Sequence, residues 1–171
     1  DLPILGEVPA WTFESADGGK VGSETLRGAP YAVNFLFTSC PTMCPPLAEA
    51  TARLQSRLDS WDAARSRAHI VSITVDPWTD TAERLRAYGE RFGRDPERWQ
   101  LARAEYEAME TLVVKGFMQP LLRGDVGGLD DEAKREKLRR GATPLDTAHS
   151  VRFVLVDGRG RIRGLFDKTD K

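Results

Sequence analysis

The chain is short of the residues that usually build a scaffold or mark a site. Its 171 residues include two cysteines, two histidines and three methionines, and 25 basic against 26 acidic side chains leave a net charge of -1. No apolar run reaches the roughly 18 residues of a membrane span, and none has the flanks of a leader peptide. Each shortage excludes something. Two cysteines do not staple a domain of this size, which is large enough to fold on its own core. Balanced charge gives no general affinity for nucleic acid or an anionic membrane surface. The sequence begins at Asp1 rather than at methionine, so processing or truncation would have removed any leader. No P-loop, nucleophile elbow or calcium loop occurs. Gly158-x-Gly160-x-x-x-Gly164 lies between two strand-like runs, where it predicts a hairpin turn rather than a nucleotide fingerprint.

What remains, 40% hydrophobic and 30% charged, suits a single globular domain spanning residues 1–171. The first 30 residues mix short apolar pieces, Trp11 to Phe13 and Lys20 to Val21, with the turn residues Asp17, Gly18 and Gly19, and predict an irregular N-terminal hairpin. "YAVNFLF", Tyr31 to Phe37, and "HIVSITV", His69 to Val75, predict strands buried on both faces. Between them, Leu47, Thr51, Leu54, Leu58 and Trp61 recur at helical steps and predict one apolar stripe from Pro46 to Trp61. A second helix is expected over Thr81 to Phe92, capped by Asp80 or Thr81, and a third over Glu105 to Phe117. "VRFVLV", Val151 to Val156, and "RIRGLF", Arg161 to Phe166, joined by "DGRG", predict a closing hairpin. Residues 118–147, rich in glycine and charge, read as an inserted excursion with a short helix at Asp131 to Arg140. The whole describes an α/β domain, a central mixed sheet flanked by helices.

Both cysteines fall in "TSCPTMCPPL", between the first buried strand and the helix after it. Open α/β sheets bind ligands at that end of their strands, beside helix N-termini. Cys40 and Cys44 each precede a proline, which pushes them toward extended backbone, while Pro46 suits a first helical turn. The partial positive charge of the helix start is expected to favour thiolate over thiol, improving both nucleophile and metal ligand. Stabilisation alone is a weak reason for the pair. A disulfide closing so short a loop contributes roughly 2 kcal/mol, against about 3 for a 15-residue loop. A redox dithiol and a soft-metal site both remain open. A metal site needs a further ligand. His69 opens a strand at the end away from Asp76 and reads as a surface or edge histidine. His149, in "DTAHSVRFVLVD", lies in a loop that could fold back over the sheet edge.

Together "TSCPTMCPPL", "SITVDP", "DTAERLRAYGERFG" and "AHSVRFVLVDGRGRIRGLFD" resemble the Sco/SenC family over about Pro9 to Asp167. The resemblance implies a thioredoxin-like fold and a copper-binding protein that helps assemble the binuclear copper site of cytochrome c oxidase. It implies that Cys40, Cys44 and His149 hold the copper. Two thiolates and an imidazole suit Cu(I), with a sulfur-bound Cu(II) form also accessible, whereas zinc usually demands a fourth ligand. Met43 and Met118 are candidate thioethers that read more simply as packing. Asp76, at the end of the second strand, either orients His149 or makes a strand-end turn with Pro77. The implied setting is extracytoplasmic: periplasm, the outer face of the cytoplasmic membrane, or the mitochondrial intermembrane space, with a membrane anchor in the full-length protein. The implied partners are the oxidase subunit carrying the copper site, other copper chaperones and thiol reductants.

The chain departs from the family pattern in places. Ala148 stands where many members carry an acid before the histidine, with Asp146 nearby, and Trp78 follows the Asp-Pro pair in place of a charge. The excursion is longer than the family's hairpin, so docking is expected through the surface around Cys40, Cys44, His149 and Met118 to Thr147. Thioredoxin-like oxidoreductases place a proline just before the late strand. Here His149 and Ser150 stand there, the nearest upstream proline being Pro144, which favours metal over broad disulfide exchange. The rival reading is a thiol-disulfide oxidoreductase for specific partners, one of Cys40 and Cys44 attacking a partner disulfide and the other resolving it. A peroxidase of the same fold is less well supported, because no feature of the sequence suggests a peroxide pocket.

Overall fold

The computed structural model describes residues 2–61, 67–123, 136, 147–149 and 151–169, with the backbone alone described at 122–123 and 147–149. Among the described residues these elements follow one another: β1 (Gly6–Glu7), β2 (Thr12–Ser15), β3 (Lys20–Gly22), β4 (Tyr31–Leu36), α1 (Cys44–Ser60), β5 (His69–Thr74), α2 (Ala82–Arg91), β6 (Trp99–Arg103), α3 (Tyr106–Thr111), β7 (Leu121–Arg123), β8 (Thr147–His149), β9 (Arg152–Val156) and β10 (Arg161–Asp167). Eight strands form one sheet in the order β1-β10-β9-β4-β5-β6-β2-β3, while β7 and β8 pair with each other. The central strands β4, β5 and β6 are parallel, in register Leu36 with Thr74 and Ile73 with Ala102. β9 runs antiparallel to β4 on one side and β2 antiparallel to β6 on the other. The expected mixed α/β architecture is present, with the N-terminal hairpin as β2 and β3 and the closing hairpin as β9 and β10.

Parallel neighbours need crossovers, and α1 and α2 supply them. Both lie on one face of the sheet. The Gln55 side chain of α1 donates to the Gly93 carbonyl and accepts from the Asp95 N–H, in the turn that follows α2. A chain of buried hydrogen bonds lines this face. Trp99 Nε1 donates to Ser72 Oγ (2.8 Å), Ser72 to Asn34 Oδ1 (2.6 Å), Asn34 Nδ2 to Thr51 Oγ1 (2.8 Å), and Thr51 to the Leu47 carbonyl (2.7 Å). Polar residues thus sit inside the core with partners satisfied. On the opposite face Phe117 packs against Phe35 and Trp11, with ring centroids 5.8 and 6.2 Å apart.

Several expectations shift in detail. The buried stripe of α1 is Cys44, Leu47, Ala48, Thr51 and Gln55, with Ala50 also buried. Leu54 and Leu58 are half-buried, and Trp61, at the C-cap, is 83% exposed. The buried line drifts off the expected one because Gln55, polar but hydrogen-bonded at both ends, takes a core place that hydrophobicity alone would not assign it. Thr81, not Asp80, caps α2, accepting from the Arg84 N–H. The third helix ends at Thr111 and continues as a π-helical turn over Leu112–Gly116. β6 was not anticipated: "WQLAR" is short and flanked by charge, and its strand character comes from pairing with β5. Gly160, at φ 79°, closes the β9–β10 turn, consistent with a hairpin rather than a nucleotide loop. The helix expected at Asp131 to Arg140 lies, Glu136 apart, outside the described residues.

Candidate metal centre

Strand β4 delivers the chain to the carboxyl end of the sheet, where Phe37 to Met43 make an irregular loop before α1. Cys44 is the first residue of that helix and Cys40 lies in the loop. The Cys40 N–H donates to the Phe37 carbonyl (3.2 Å), folding the loop back on the strand end. Both thiols are buried and not joined in a disulfide, with Cys40 5% and Cys44 1% exposed. They are in hydrogen-bond contact with each other.

Helix-start stabilisation of a thiolate is not what the structure shows. The Cys44 thiol is held well above the usual range for cysteine, chiefly by burial, with Cys40 and the charge of Asp80 adding to it and a backbone hydrogen bond from Phe37 opposing it. The helix start offers little against that burial. Pro45 and Pro46 occupy the first turn and lack N–H groups, and Met43 at the N-cap offers no side-chain bond, so the donors that would stabilise a thiolate are depleted. Burial thus acts to keep the proton on the Cys44 sulfur.

Two buried acids follow β5 at the same pole. Asp80 is 0% exposed. Its carboxylate accepts from the Thr38 N–H (3.0 Å), from the Thr38 hydroxyl and from the Thr74 hydroxyl (2.6 Å), which ties the cysteine loop to the end of β5. Asp76 is 4% exposed and accepts from the Thr79 N–H (3.3 Å), making the strand-end turn with Pro77. Burial raises its pKa, Asp80 adds to the rise, and the Thr79 hydrogen bonds oppose it. Trp78, between the two acids, stacks on Tyr106 with ring centroids 4.5 Å apart and planes 7° from parallel. The sequence singled out Asp76 but weighed Asp80 only as a cap. Thr38 and Thr74 carried no signal, since their shared partner Asp80 joins them only once β4 and β5 end side by side.

The remaining sequence-derived candidates fall as follows. His149 ends β8, opposite Leu121, and its side chain lies outside the described residues. Because Val154 of β9 pairs antiparallel with Val33 of β4, β9 begins at the pole of the sheet where the cysteine loop departs, and β8 leads into it. His69 pairs with Tyr31 at the opposite pole. Met43 is 44% exposed beside Cys44, whereas Met118, with φ 54°, lays its methyl group over Gly6. Pro144 and Asp146 are outside the described residues. Among those described, no three His, Cys, Asp or Glu side chains gather as a preformed metal cluster.

The SCO1/SenC family model matches residues 6–118, a span that contains both cysteines and Asp76 and ends before His149. A SCO1 protein homolog of Bacillus subtilis (strain 168) is 30% identical over 116 residues, 67% of this chain and 58% of that protein. The chain thus covers little more than half of that relative's length. BsSco, described as a member of the Sco family of cytochrome c oxidase assembly proteins and as having a disulfide switch, superposes with a TM-score of 0.75 at 23% identity, covering 100% of this chain and 89% of that one. Yeast Sco1 with copper bound superposes with a TM-score of 0.73 at 19% identity, covering 99% and 82%. The eight-stranded mixed sheet with its strand-end cysteine loop is thioredoxin-like, and the chain belongs to the SCO1/SenC family.

Proposed function

We propose that the protein binds copper through Cys40, Cys44 and His149 and serves the assembly of the binuclear copper site of a cytochrome c oxidase. One observation carries this: two buried thiols, not joined in a disulfide, neighbour each other at a strand-to-helix loop, inside the span matched by the family. The donor chemistry fits. Two sulfurs are soft ligands of the kind Cu(I) prefers, and the surrounding apolar packing excludes water. Cys40 and Cys44 would supply the thiolates that hold the ion until transfer. The chain's own part is to give up the Cys44 proton, which burial otherwise retains, as the ion arrives. His149 would close the set from the β8–β9 side, with Asp76 as a candidate to orient its ring. The reading carries with it an extracytoplasmic location and an oxidase subunit as recipient, docking around the cysteine loop and the 118–147 excursion.

The test is stoichiometric. Reduced protein is expected to bind one Cu(I), Cys40→Ser and Cys44→Ser to lose tight binding, and His149→Ala to weaken it. Equal affinity in the wild type and His149→Ala would remove His149 from the set. The contact between the thiols also suits a second reading, a dithiol that forms the Cys40–Cys44 disulfide while a partner disulfide takes up the two electrons and two protons. Fast reduction of an unrelated protein disulfide, with copper binding no tighter than in a Cys→Ser variant, would install that reading instead.

A further inference from the structure

The two faces of β9 and β10 are closed to different degrees. On the face away from α1, Val154, Val156 and Ile162 are each 0% exposed. On the α1 face, Phe153 and Leu155 of β9 pair with Phe166 and Gly164 of β10. There Phe153 packs against Leu47 and Ala50 of α1, but Leu155 is only half-buried and Phe166 is 36% exposed. Beside α1 this leaves a groove of about 570 Å³, floored by Ala32, Phe153, Leu155 and Phe166 and walled by Ala50 and Leu54. No helix other than α1 lines it among the described residues. A sheet of this class ordinarily buries both faces under helices, so an apolar floor left open is a surface that lacks its cover.

The rim is basic. Arg53 and Arg57, one turn apart on α1, line the groove together with Lys168, just past β10. Among the described residues none of these three has an ion pair. The one acid in the lining, Asp167, lies 3.7 Å from Arg152 Nε. The helix stripe runs on to Trp61, at i+4 from Arg57 and i+7 from Leu54, which is 83% exposed. From Ala50 to Trp61 the helix rises about 16 Å, roughly three turns. Tryptophan and arginine around an apolar floor are the composition of a protein-binding hot spot. The width suits one helix. Packed helices stand about 8–10 Å apart, two strand spacings of about 4.8 Å, and α1 is bonded to β4 through Thr51 and Asn34, so a second axis falls over β10. An extended chain laid on a sheet face would leave its backbone N–H and C=O groups without partners there, whereas a helix satisfies its own.

We propose that this groove docks an amphipathic helix of a partner protein, apolar where it lies on Phe153, Leu155 and Phe166 and acidic where it passes Arg53, Arg57 and Lys168. Charge selects the occupant. A second copy of this chain would bring the same three cations against each other, and a basic helix would be repelled, whereas an acidic flank gives the rim its counter-charge. Ala50 lies about 9 Å along α1 from Cys44, and the groove runs from there away from the thiols. A partner held here is tethered to the domain with the cysteine pole left uncovered. The docking is independent of what the cysteines bind.

The probe is a synthetic peptide about three turns long, with leucine at helical spacing and glutamate on both flanks of that stripe, compared with the same peptide carrying lysine for glutamate. Fluorescence anisotropy of the labelled peptide against the full, reduced chain measures affinity, and amide chemical shifts place it. The glutamate peptide is expected to bind, with shifts confined to α1 from Ala50 to Trp61, β9 and β10, and the lysine peptide to bind about tenfold more weakly. Arg53→Glu combined with Arg57→Glu is expected to reverse that order, which a merely structural role would not do. Trp61→Ala, at a position open to solvent, is expected to keep the fold and to weaken the glutamate peptide about tenfold. Failure of the glutamate peptide to bind, equal affinity for both peptides, or an order unchanged by the charge reversal overturns the acidic helix. Shifts elsewhere on the chain overturn the groove. Binding to vesicles of phosphatidylcholine and phosphatidylglycerol, with neither peptide bound, overturns the protein partner in favour of a lipid surface.

Discussion

The two poles of the sheet treat aspartate in opposite ways. Where β4 and β5 end, Asp76 and Asp80 are buried, and the partners described for their carboxylates are hydroxyl and amide groups of Thr38, Thr74 and Thr79. Arg84 is near but reaches the Thr38 hydroxyl instead (3.5 Å). At the far pole, Asp157 in the β9–β10 turn accepts from Arg161 Nε (2.9 Å), from Arg163 (3.1 Å) and from the N–H groups of Arg159 and Arg161. The consequences diverge. Burial raises the pKa of Asp76, whereas at Asp157 burial pushes the same way but the hydrogen bonds of Arg161, Arg159 and Arg163 overcome it and hold the carboxyl well below its usual range. One pole neutralises its acid from within the chain and is finished. At the other, Arg103 binds the Asp80 and Pro77 carbonyls and Arg84 lies near, yet the partners described for the two carboxylates themselves are neutral.

Substitutions can break this contrast. Asp80→Ala strands two donors of Thr38 and one of Thr74 inside the core, and is expected to lose about 3 kcal/mol of folding stability. It should also weaken Cu(I) binding, because the cysteine loop loses its tie to β5. Urea denaturation and a competition titration check both effects. Asp157→Ala is expected to lose about 2 kcal/mol, since water can reach part of the turn, with Cu(I) affinity unchanged. The sign with pH is fixed by its lowered pKa: the stabilisation is present above about pH 4 and shrinks as the pH falls toward the folded-state value. Were Asp157→Ala to weaken copper as much as Asp80→Ala, the poles would not be separate.

The smallest effect sits at His69, also at the far pole. Burial chiefly lowers its pKa, helped by Arg98 and opposed by a backbone hydrogen bond at Glu97. The unfolded chain therefore takes up the proton first, so stability falls as the pH drops through about 6.5 and levels off below the folded-state value. His69→Gln should flatten that limb of a stability-against-pH curve while leaving copper binding alone. An unaltered curve would show that the histidine is more open to water than its half-buried position suggests.

Much of this was legible beforehand where it depended on neighbours in sequence. The runs of Tyr31 to Phe37 and His69 to Val75 became β4 and β5 because a central parallel strand must be apolar on both sides, and a run of that kind has few other homes. Cys40 and Cys44 were placed by the strand and helix that bracket them. What stayed hidden depended on the third dimension. Asp80 and Thr81 are equivalent as caps on paper, and only the arrival of Thr38 from β4 decides which of them turns inward. At Cys44 the sequence shows the helix start but not the depth of burial, which raises the thiol's pKa. β6 needed β5 beside it before five ordinary residues became a strand.

The buried series Trp99, Ser72, Asn34 and Thr51 bears on how such a chain can drift. Each member is satisfied by the next, so replacing one alone leaves its neighbour with an unmatched group in the core, while an apolar exchange of both partners can be nearly neutral. Divergence at these positions is therefore concerted. Among lineages as far apart as the 19% to 23% identity of the yeast and BsSco structures, positions 34, 51, 72 and 99 should change together, some lineages keeping the whole polar series and others none of it. A lineage with half the series would carry a vacancy that its own descendants are under pressure to fill.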